Sequence, residues 1–542
     1  MNNSFIPTQE QASAISADGN MVITACPGSG KTTVIVEKMR NEIDRLNEFQ
    51  GVIGITFTVK ASKELRKRCR AGGFNTKSSF FGTIDHFCLS EIIYPFANRI
   101  FKKTNLDVDC ISYKDLDTAY KQSLPDLSEP KVVLRTTDYH VLELEFQRHY
   151  SEGFVLLEAI GVIANMILQN SEACRRYIRS KYTSIYIDEY QDSSEPQHKL
   201  FLNMLGLGLK AIAVGDVNQS IYEWRGSDSK YINELIEKTD TFQHHRIDVN
   251  HRCHPSITNY ANRLLDQNAT LLPTSQIRVF QRQFNGIQTD LAQQLNEYIP
   301  QTAQFFGVEL SEVAVLVRSN SGLQGLIEHL TIPFRVYTDD SLSSVNSKVT
   351  KLYQDLLKYR FNLDFLVSDV SEFEAKASSL SLVSRAEVIN SIKRVRSVTH
   401  DELESALHHT CRMLFGHTGK DVEHSALQSV LENPNHLKQY KPNKNEVQVM
   451  TLHKSKGLEF EIVFHLDLYE WVFPFRQYTG DFNEYIFPDW EQDLNLHYVG
   501  ITRAKQACIL AYSTRRLNGK GENRQGQPSQ FLDMPGLNGL YA

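Results

Sequence analysis

Paired cysteines are missing: the eight cysteines of this 542-residue chain never fall at a CxxC spacing. That excludes a zinc ribbon and a disulfide framework and suits a reducing cytosol. A basic excess is missing too. With 58 Lys and Arg against 64 Asp and Glu, the formal net charge is −6, so any grip on a polyanion must come from local basic and aromatic surface. No apolar run approaches the roughly 20 residues that span a bilayer, and the opening MNNSFIPTQEQ lacks the basic-then-apolar order of a secretion signal. The expectation is a cytoplasmic protein with no membrane partner. Tandem repeats and low-complexity tracts are also absent, which excludes solenoids and tails of one composition.

What is there is a large apolar fraction, 41%, more than one core can use, because single cores stop growing at roughly 250–300 residues. Several domains are expected. Short apolar runs read as buried parallel strands: Met21 to Ala25, Val52 to Thr58, Ser184 to Asp188, Ala211 to Gly215, Val313 to Val317, Val447 to Leu452, Ile462 to Leu466 and Ala507 to Tyr512. Many are followed by helical patterns, which implies an α/β architecture. Strand signals are sparse between Phe96 and Tyr182, where stretches such as Phe154 to Asn170 are amphipathic, and again from Leu342 to Lys441. Both stretches read as helical insertions.

The segment Cys26, Pro27, Gly28, Ser29, Gly30, Lys31, Thr32, Thr33 follows one of these strands and opens a helix. Glycines 28 and 30 let backbone N–H groups approach phosphate oxygens, Lys31 reaches the terminal phosphates, and the Thr32 hydroxyl is a ligand for Mg²⁺. Asp188 and Glu189 end another strand and emerge at the carboxyl edge of the sheet, where ligands of doubly wound folds sit. Asp188 would hold Mg²⁺, directly or through water, leaving Glu189 to deprotonate the attacking water. The expected substrate is ATP with Mg²⁺.

Asp188 to Asp192 spell DEYQD, and Ala213 to Gly226 read AVGDVNQSIYEWRG. These segments resemble motifs of superfamily 1A helicases of the UvrD, Rep and PcrA type, and other motifs of that family follow in order along nearly the whole chain. The resemblance implies two RecA-like P-loop cores with parallel sheets, each carrying a mainly helical insertion. The bounds read from the sequence are 1–95 and 181–250 for the first core, 96–180 for its insertion, 251–341 and 442–542 for the second core, and 342–441 for a reduced second insertion.

It also implies roles for single residues. Gln219 senses the γ-phosphate, and Trp224, with Tyr222 and Arg225, meets DNA; an indole is a sequence-tolerant stacking platform worth roughly 1–3 kcal/mol per base. Gln11 resembles the glutamine that reads the adenine edge. Phe57 and Lys60, in TFTVKA, would meet a base and a phosphate, and Thr83 and His86, in GTIDHF, the strand backbone. In the second half, Asn250-His251-Arg252 resembles NYR, with Arg252 reaching the γ-phosphate from across a cleft. The run Thr451 to Phe460 resembles TxHxxKGLEF, with Thr451 and His453 near DNA and Gly457 and Glu459 near the nucleotide. Arg503, in YVGITRA, is the second arginine finger.

The chain departs from the family pattern in places. His251 stands where a tyrosine stacks on adenine, and imidazole offers less area. Asp489 to Leu494, DWEQDL, replaces an acidic and arginine-rich run. Both insertions are short, and after Tyr512 the expectation is a short polar tail with no room for a nuclease domain. The leading expectation is a 3′ to 5′ single-stranded DNA translocase and helicase acting on single strands and single/double-strand junctions. The alternative is a DNA-sensing ATPase that licenses a separate nuclease subunit encoded nearby. Its compactness is similar to the UvrD-like subunits of Gabija-type antiphage systems.

Overall fold

The computed structural model describes residues 6–101, 108–129, 132–223, 226–345, 347–376, 380–481, 483–518 and 520–542. The chain divides into two compact units, Met1–Arg252 and Cys253–Ala542.

In the first unit the strands are β1 (Met21–Ala25), β2 (Gly51–Ile55), β3 (Phe80–Gly82), β4 (Asp109–Ile111), β5 (Phe154–Leu156), β6 (Tyr182–Ile187), β7 (Lys210–Gly215) and β8 (Gln243–Ile247). Six of them form one sheet in the order β3-β2-β6-β7-β1-β8, every pair parallel. The central strands read as unbroken apolar runs because both faces are covered. Met21, Ile23, Tyr186, Ile212 and Val214 enter one core with helix Lys31–Asp44. Their alternates Val22, Ile185, Ile187, Ala211 and Ala213 enter a second. That second core is closed by helices Tyr139–Ser151, Ile160–Asn170 and Glu172–Lys181. The stretch from Phe154, read from the sequence as helical, opens instead as β5, paired in parallel with β4. Gly153, at φ 93°, separates it from the preceding helix.

The second unit repeats the plan with β9 (Val279–Phe284), β10 (Val313–Val317), β11 (Phe334–Tyr337), β12 (Val447–Thr451), β13 (Phe460–His465) and β14 (Ala504–Ser513). Their order is β11-β12-β10-β13-β14-β9, again all parallel. Between β11 and β12 the helices Lys348–Phe361, Leu382–Ser397, Leu403–Phe415 and Asp421–Glu432 share a separate core built on Leu352, Leu356, Ile392, Leu407 and Leu427. Both units are thus RecA-like α/β cores carrying helical segments.

Two differences from the sequence reading are physical. Strands β3, β8, β9 and β11 carry no long apolar run, because each lies at a sheet edge with one flank unpaired; β8, reading QHHRI, exposes Gln243, His244 and Arg246. The segment after β14 is not simply a polar tail. A short ribbon, β15 (Arg515–Leu517) with β16 (Asn523–Gln525), leads to a turn that buries Phe531 and Leu532. The Phe531 ring lies 5.1 Å from Trp490 and 5.4 Å from Phe473. Among the described residues no helix is long and apolar enough to cross a membrane.

Because all strands of a parallel sheet point the same way, the segments that follow β1, β2, β3, β6, β7 and β8 converge on one edge, although they are spread over about 200 residues. The candidate site is built from those segments.

Candidate active site

The loop after β1 turns through two left-handed glycines, Gly28 at φ 70° and Gly30 at φ 79°. Helix Lys31–Asp44 starts at once, with Gly30 as its N-cap and Val34 N–H donating to Gly30 O at 3.1 Å. The first N–H groups of a helix lack intrahelical acceptors and point along its axis, so this turn is a nest for anions. The Ser29 hydroxyl is buried in it with no hydrogen-bond partner among the described residues. A phosphate chain fits both features. Lys31, Thr32 and Thr33 are half-buried on the first turn, and Pro27 is buried beneath.

The loop is held from two sides. Cys26 N–H donates to Ile247 O at 3.1 Å, and its Sγ lies 3.3 Å from Asp248 O. His251 N–H donates to Gly28 O at 3.0 Å, and Arg252 N–H to Asn250 Oδ1 at 2.8 Å. A Cβ on Gly28 would collide with Arg252 Cβ and stand 2.7 Å from Asn250 Oδ1, so only glycine fits there. The bounds read from the sequence divided the triplet Asn250 to Arg252, ending the first core at 250 and opening the second at 251. The structure counts them with the first unit, because the triplet leaves β8 and lies directly on the glycine loop. On the other side, Gln11 Nε2 donates to Ser29 O at 2.8 Å, while Gln11 Oε1 accepts from Thr8 N–H at 2.8 Å in the capping box of helix Gln9–Ser16. His251 is exposed.

The acidic groups come from β6 and β7. Asp188 N–H donates to Ile55 O at 2.9 Å, and Asp188 Oδ1 accepts from Glu189 N–H at 3.0 Å. Glu189 occupies the left-handed region at φ 57°, uncommon for a residue with a side chain. Its Oε2 accepts from Gln191 Nε2 at 2.6 Å, and Gln191 Oε1 accepts from Asp216 N–H at 3.0 Å. Asp216 Oδ2 accepts from Gln219 Nε2 at 2.6 Å. Burial pushes the Asp216 carboxyl up; the Lys31 ammonium, Gln219 and Asn218 N–H pull it back, while the Glu189 charge adds to the rise. The structure therefore brings Lys31, Glu189, Asp216 and Gln219 into one electrostatic cluster.

The residues of this unit that the sequence reading expects to meet DNA lie along the same edge. Phe57 and Tyr222, two residues past β2 and seven past β7, stack with centroids 5.2 Å apart and planes 18° from parallel. Lys60 is exposed on the first turn of helix Val59–Arg70, which Thr58 caps by accepting from Ala61 N–H. Thr83 caps the turn after β3, accepting from His86 N–H at 3.3 Å, and the exposed His86 ring leans on Phe80. Trp224 and Arg225 lie outside the described residues.

In the second unit Thr451 ends β12 and accepts from Lys454 N–H, and His453 is half-exposed. Gly457 is exposed at φ 80°, and Glu459 is ion-paired with Lys505 at 3.1 Å. Arg503 is 2% exposed. Its guanidinium donates to Val499 O at 3.0 Å, Leu458 O at 3.1 Å and Thr502 Oγ1 at 3.4 Å, and Phe460 N–H donates to Arg503 O at 2.9 Å. It joins the segment before β13 to the end of helix Trp490–Ile501.

Comparison with known proteins identifies the family. The sequence model of the UvrD/REP helicase N-terminal domain matches residues 7–131 and 98–240, and that of the UvrD-like helicase C-terminal domain matches residues 346–515. The chain belongs to the UvrD-like helicases. Gabija protein GajB of Bacillus cereus (strain VD045) is 28% identical, over 92% of this chain and 94% of that protein. ATP-dependent DNA helicase PcrA of Staphylococcus aureus (strain Mu50) is 23% identical, over 96% of this chain and 85% of its own length, and PcrA of Staphylococcus epidermidis is 23% identical over the same shares. As a UvrD-like helicase the chain is a DNA-dependent ATPase of the helicase class that uses ATP.

Two members of this UvrD-like site carry no role in the sequence reading. Gln191 stands inside DEYQD and Asp216 inside the AVGDVNQ run, so both were visible as motif letters. Their connection to Glu189 and Gln219 was not, since it depends on β6 and β7 being neighbours in the sheet.

Proposed function

We propose that the protein is an ATP-driven motor that moves 3′ to 5′ along single-stranded DNA and opens single/double-strand junctions. One observation carries this reading: the phosphate nest and the stacked Phe57–Tyr222 pair share one sheet edge, so a single rigid platform can bind both nucleotide and strand.

In this reading ATP lies with its phosphates on the N–H groups of Gly28 to Thr32 and its terminal phosphates against Lys31. Gln11 and His251 face the base. Thr32 and Asp188 would hold Mg²⁺, which would neutralise phosphate charge. Glu189 accepts a proton from water as the water oxygen bonds to the γ-phosphorus, and the bond to the β–γ bridging oxygen breaks to leave ADP and phosphate. Gln219 reports the γ-phosphate to the segment bearing Tyr222. DNA bases stack against Phe57, Tyr222 and Trp224, and Lys60, Thr83 and His86 touch the strand backbone; in the second unit Thr451 and His453 contact DNA.

A second reading rests on the likeness to Gabija protein GajB over nearly the full length of both chains. There the same ATPase senses DNA and licenses a separate nuclease in antiphage defence, with little unwinding of its own.

Hydrolysis measured with and without oligo(dT) tests the common part, and a strong rise is expected; a rate indifferent to DNA would refute it. Duplexes with a 3′ or a 5′ overhang separate the two readings. Unwinding of the 3′-tailed substrate alone supports the motor, and stimulated hydrolysis without strand separation supports the licensing ATPase.

A further inference from the structure

We propose that the hairpin between β13 and helix Trp490–Ile501 is a docking surface for a partner protein whose contacting face carries arginine or lysine side chains around an apolar socket.

The hairpin closes where Gln477 N–H donates to Ile486 O at 2.9 Å, an isolated antiparallel bridge. That register sets Tyr478 opposite Tyr485, and residues opposite each other in an antiparallel pair share a face. Arg476 lies on the same face. Its guanidinium is 4.0 Å from the Trp471 ring centroid and 3.7 Å from that of Tyr485. It also donates to Glu470 Oε1 at 2.6 Å and, through two nitrogens, to Glu484 O at 3.0 Å and 3.2 Å. Arg476 is 3% exposed, so its charge is satisfied within the hairpin, where it fixes the rings. Tyr478 and Tyr485 are nevertheless 53% and 62% exposed, and Phe475 and Ile486 are exposed as well.

Rings held in place before contact lose little conformational freedom on binding, and tyrosine is among the residues that most often anchor interfaces. The charge selects the partner. Between Phe475 and Glu491 there are four acidic residues and one basic one, Arg476. Asp481, Glu484 and Glu491 are exposed, and among the described residues none of the three is in an ion pair. A nucleic-acid strand would bring phosphates to a surface with no exposed lysine or arginine to meet them, although its binding depends on such contacts. A basic protein face instead meets the carboxylates while its apolar socket covers the rings, the aromatic centre and polar rim of a protein interface. None of these residues belongs to the nucleotide or strand contacts described above, so docking and hydrolysis can be measured apart.

The probe is a short fluorescein-labelled peptide alternating arginine and leucine, with a glutamate–leucine peptide as control, titrated into the full chain and followed by anisotropy. Wild type should bind the basic peptide and not the acidic one. Tyr478→Ser/Tyr485→Ser should weaken binding at least about tenfold, and Tyr478→Phe/Tyr485→Phe, which keeps both rings, should bind as wild type does. Asp481→Asn/Glu484→Gln should weaken it about 3- to 10-fold and reduce its salt dependence. All three variants should keep the wild-type response of ATP hydrolysis to oligo(dT). If the serine pair lowers the melting temperature, the carboxylate pair, whose side chains are exposed, decides. No binding by wild type, or equal binding by wild type and the carboxylate pair, would overturn the inference. A loss of oligo(dT) affinity in the serine pair at an unchanged melting temperature would overturn it in favour of a strand contact.

Discussion

Replacing Gly28 by alanine should damage the first unit far more than replacing Gly30, although both glycines sit in one loop with the same backbone handedness. Both are left-handed, φ 70° and φ 79°, so each alanine meets the same conformational penalty of about 1–2 kcal/mol. The surroundings differ. Among the described residues the new methyl at 30 would meet the Gln11 amide, 3.0 Å away, a contact that a shift of a few tenths of an ångström relieves. At 28 it would overlap Arg252 Cβ and lie 2.7 Å from Asn250 Oδ1 and 3.1 Å from Arg252 N. Relief requires the Asn250 to Arg252 segment to lift, which breaks the 3.0 Å bond from His251 N–H to Gly28 O. Losing that bond costs about 1 kcal/mol, and overpacking adds about 1–3 kcal/mol. Gly28→Ala should therefore be about 2–4 kcal/mol worse than Gly30→Ala. At about 2–4 °C per kcal/mol for a unit of this size, the gap in melting temperature without nucleotide should be at least about 4 °C. Hydrogen exchange should place the loosening at residues 250–252. Equal melting temperatures, or Gly30→Ala being the worse variant, would refute the packing of Asn250 to Arg252 on the loop.

Two further outcomes concern the second unit. His465 and His497 are fully buried and bonded to each other at 2.9 Å, and burial lowers the ring pKa of His465 to about 4 and that of His497 well below its ordinary value. An unfolded chain protonates them near 6.5, so between there and about pH 4 the unfolded state binds more protons and folding weakens as pH falls; His465 alone accounts for about 3 kcal/mol. Denaturation of His465→Leu/His497→Phe should show a flatter pH dependence over that window, and an unchanged slope would count against burial of the pair. Arg503→Lys should cost the second unit about 2–4 kcal/mol, because one ammonium cannot replace the fork that reaches Val499 O and Leu458 O; a wild-type denaturation midpoint would contradict the strut.

Much of the fold was legible because a parallel sheet buried on both faces writes itself as apolar runs. All eight runs read from the sequence coincide with strands β1, β2, β6, β7, β10, β12, β13 and β14. The edge strands were not legible, since a strand such as β8 can be polar on its exposed side and still pair. Phe531 was missed for another reason. One aromatic in a polar tail has no periodicity, and only Trp490, Phe473 and His497, distant in sequence, make its burial favourable.

The candidate site divides in the same way. Local order along the chain determined the phosphate nest, because a strand, two glycines that accept positive φ and a helix start are neighbours in sequence, and backbone sterics alone shape such a turn. Tertiary structure decided which side chains serve that nest. Gln191 meets Asp216 only because β6 lies beside β7, and Arg252 meets Gly28 only because β8 lies beside β1. Contacts between segments far apart in sequence are set by strand order and packing, which no stretch of sequence carries by itself.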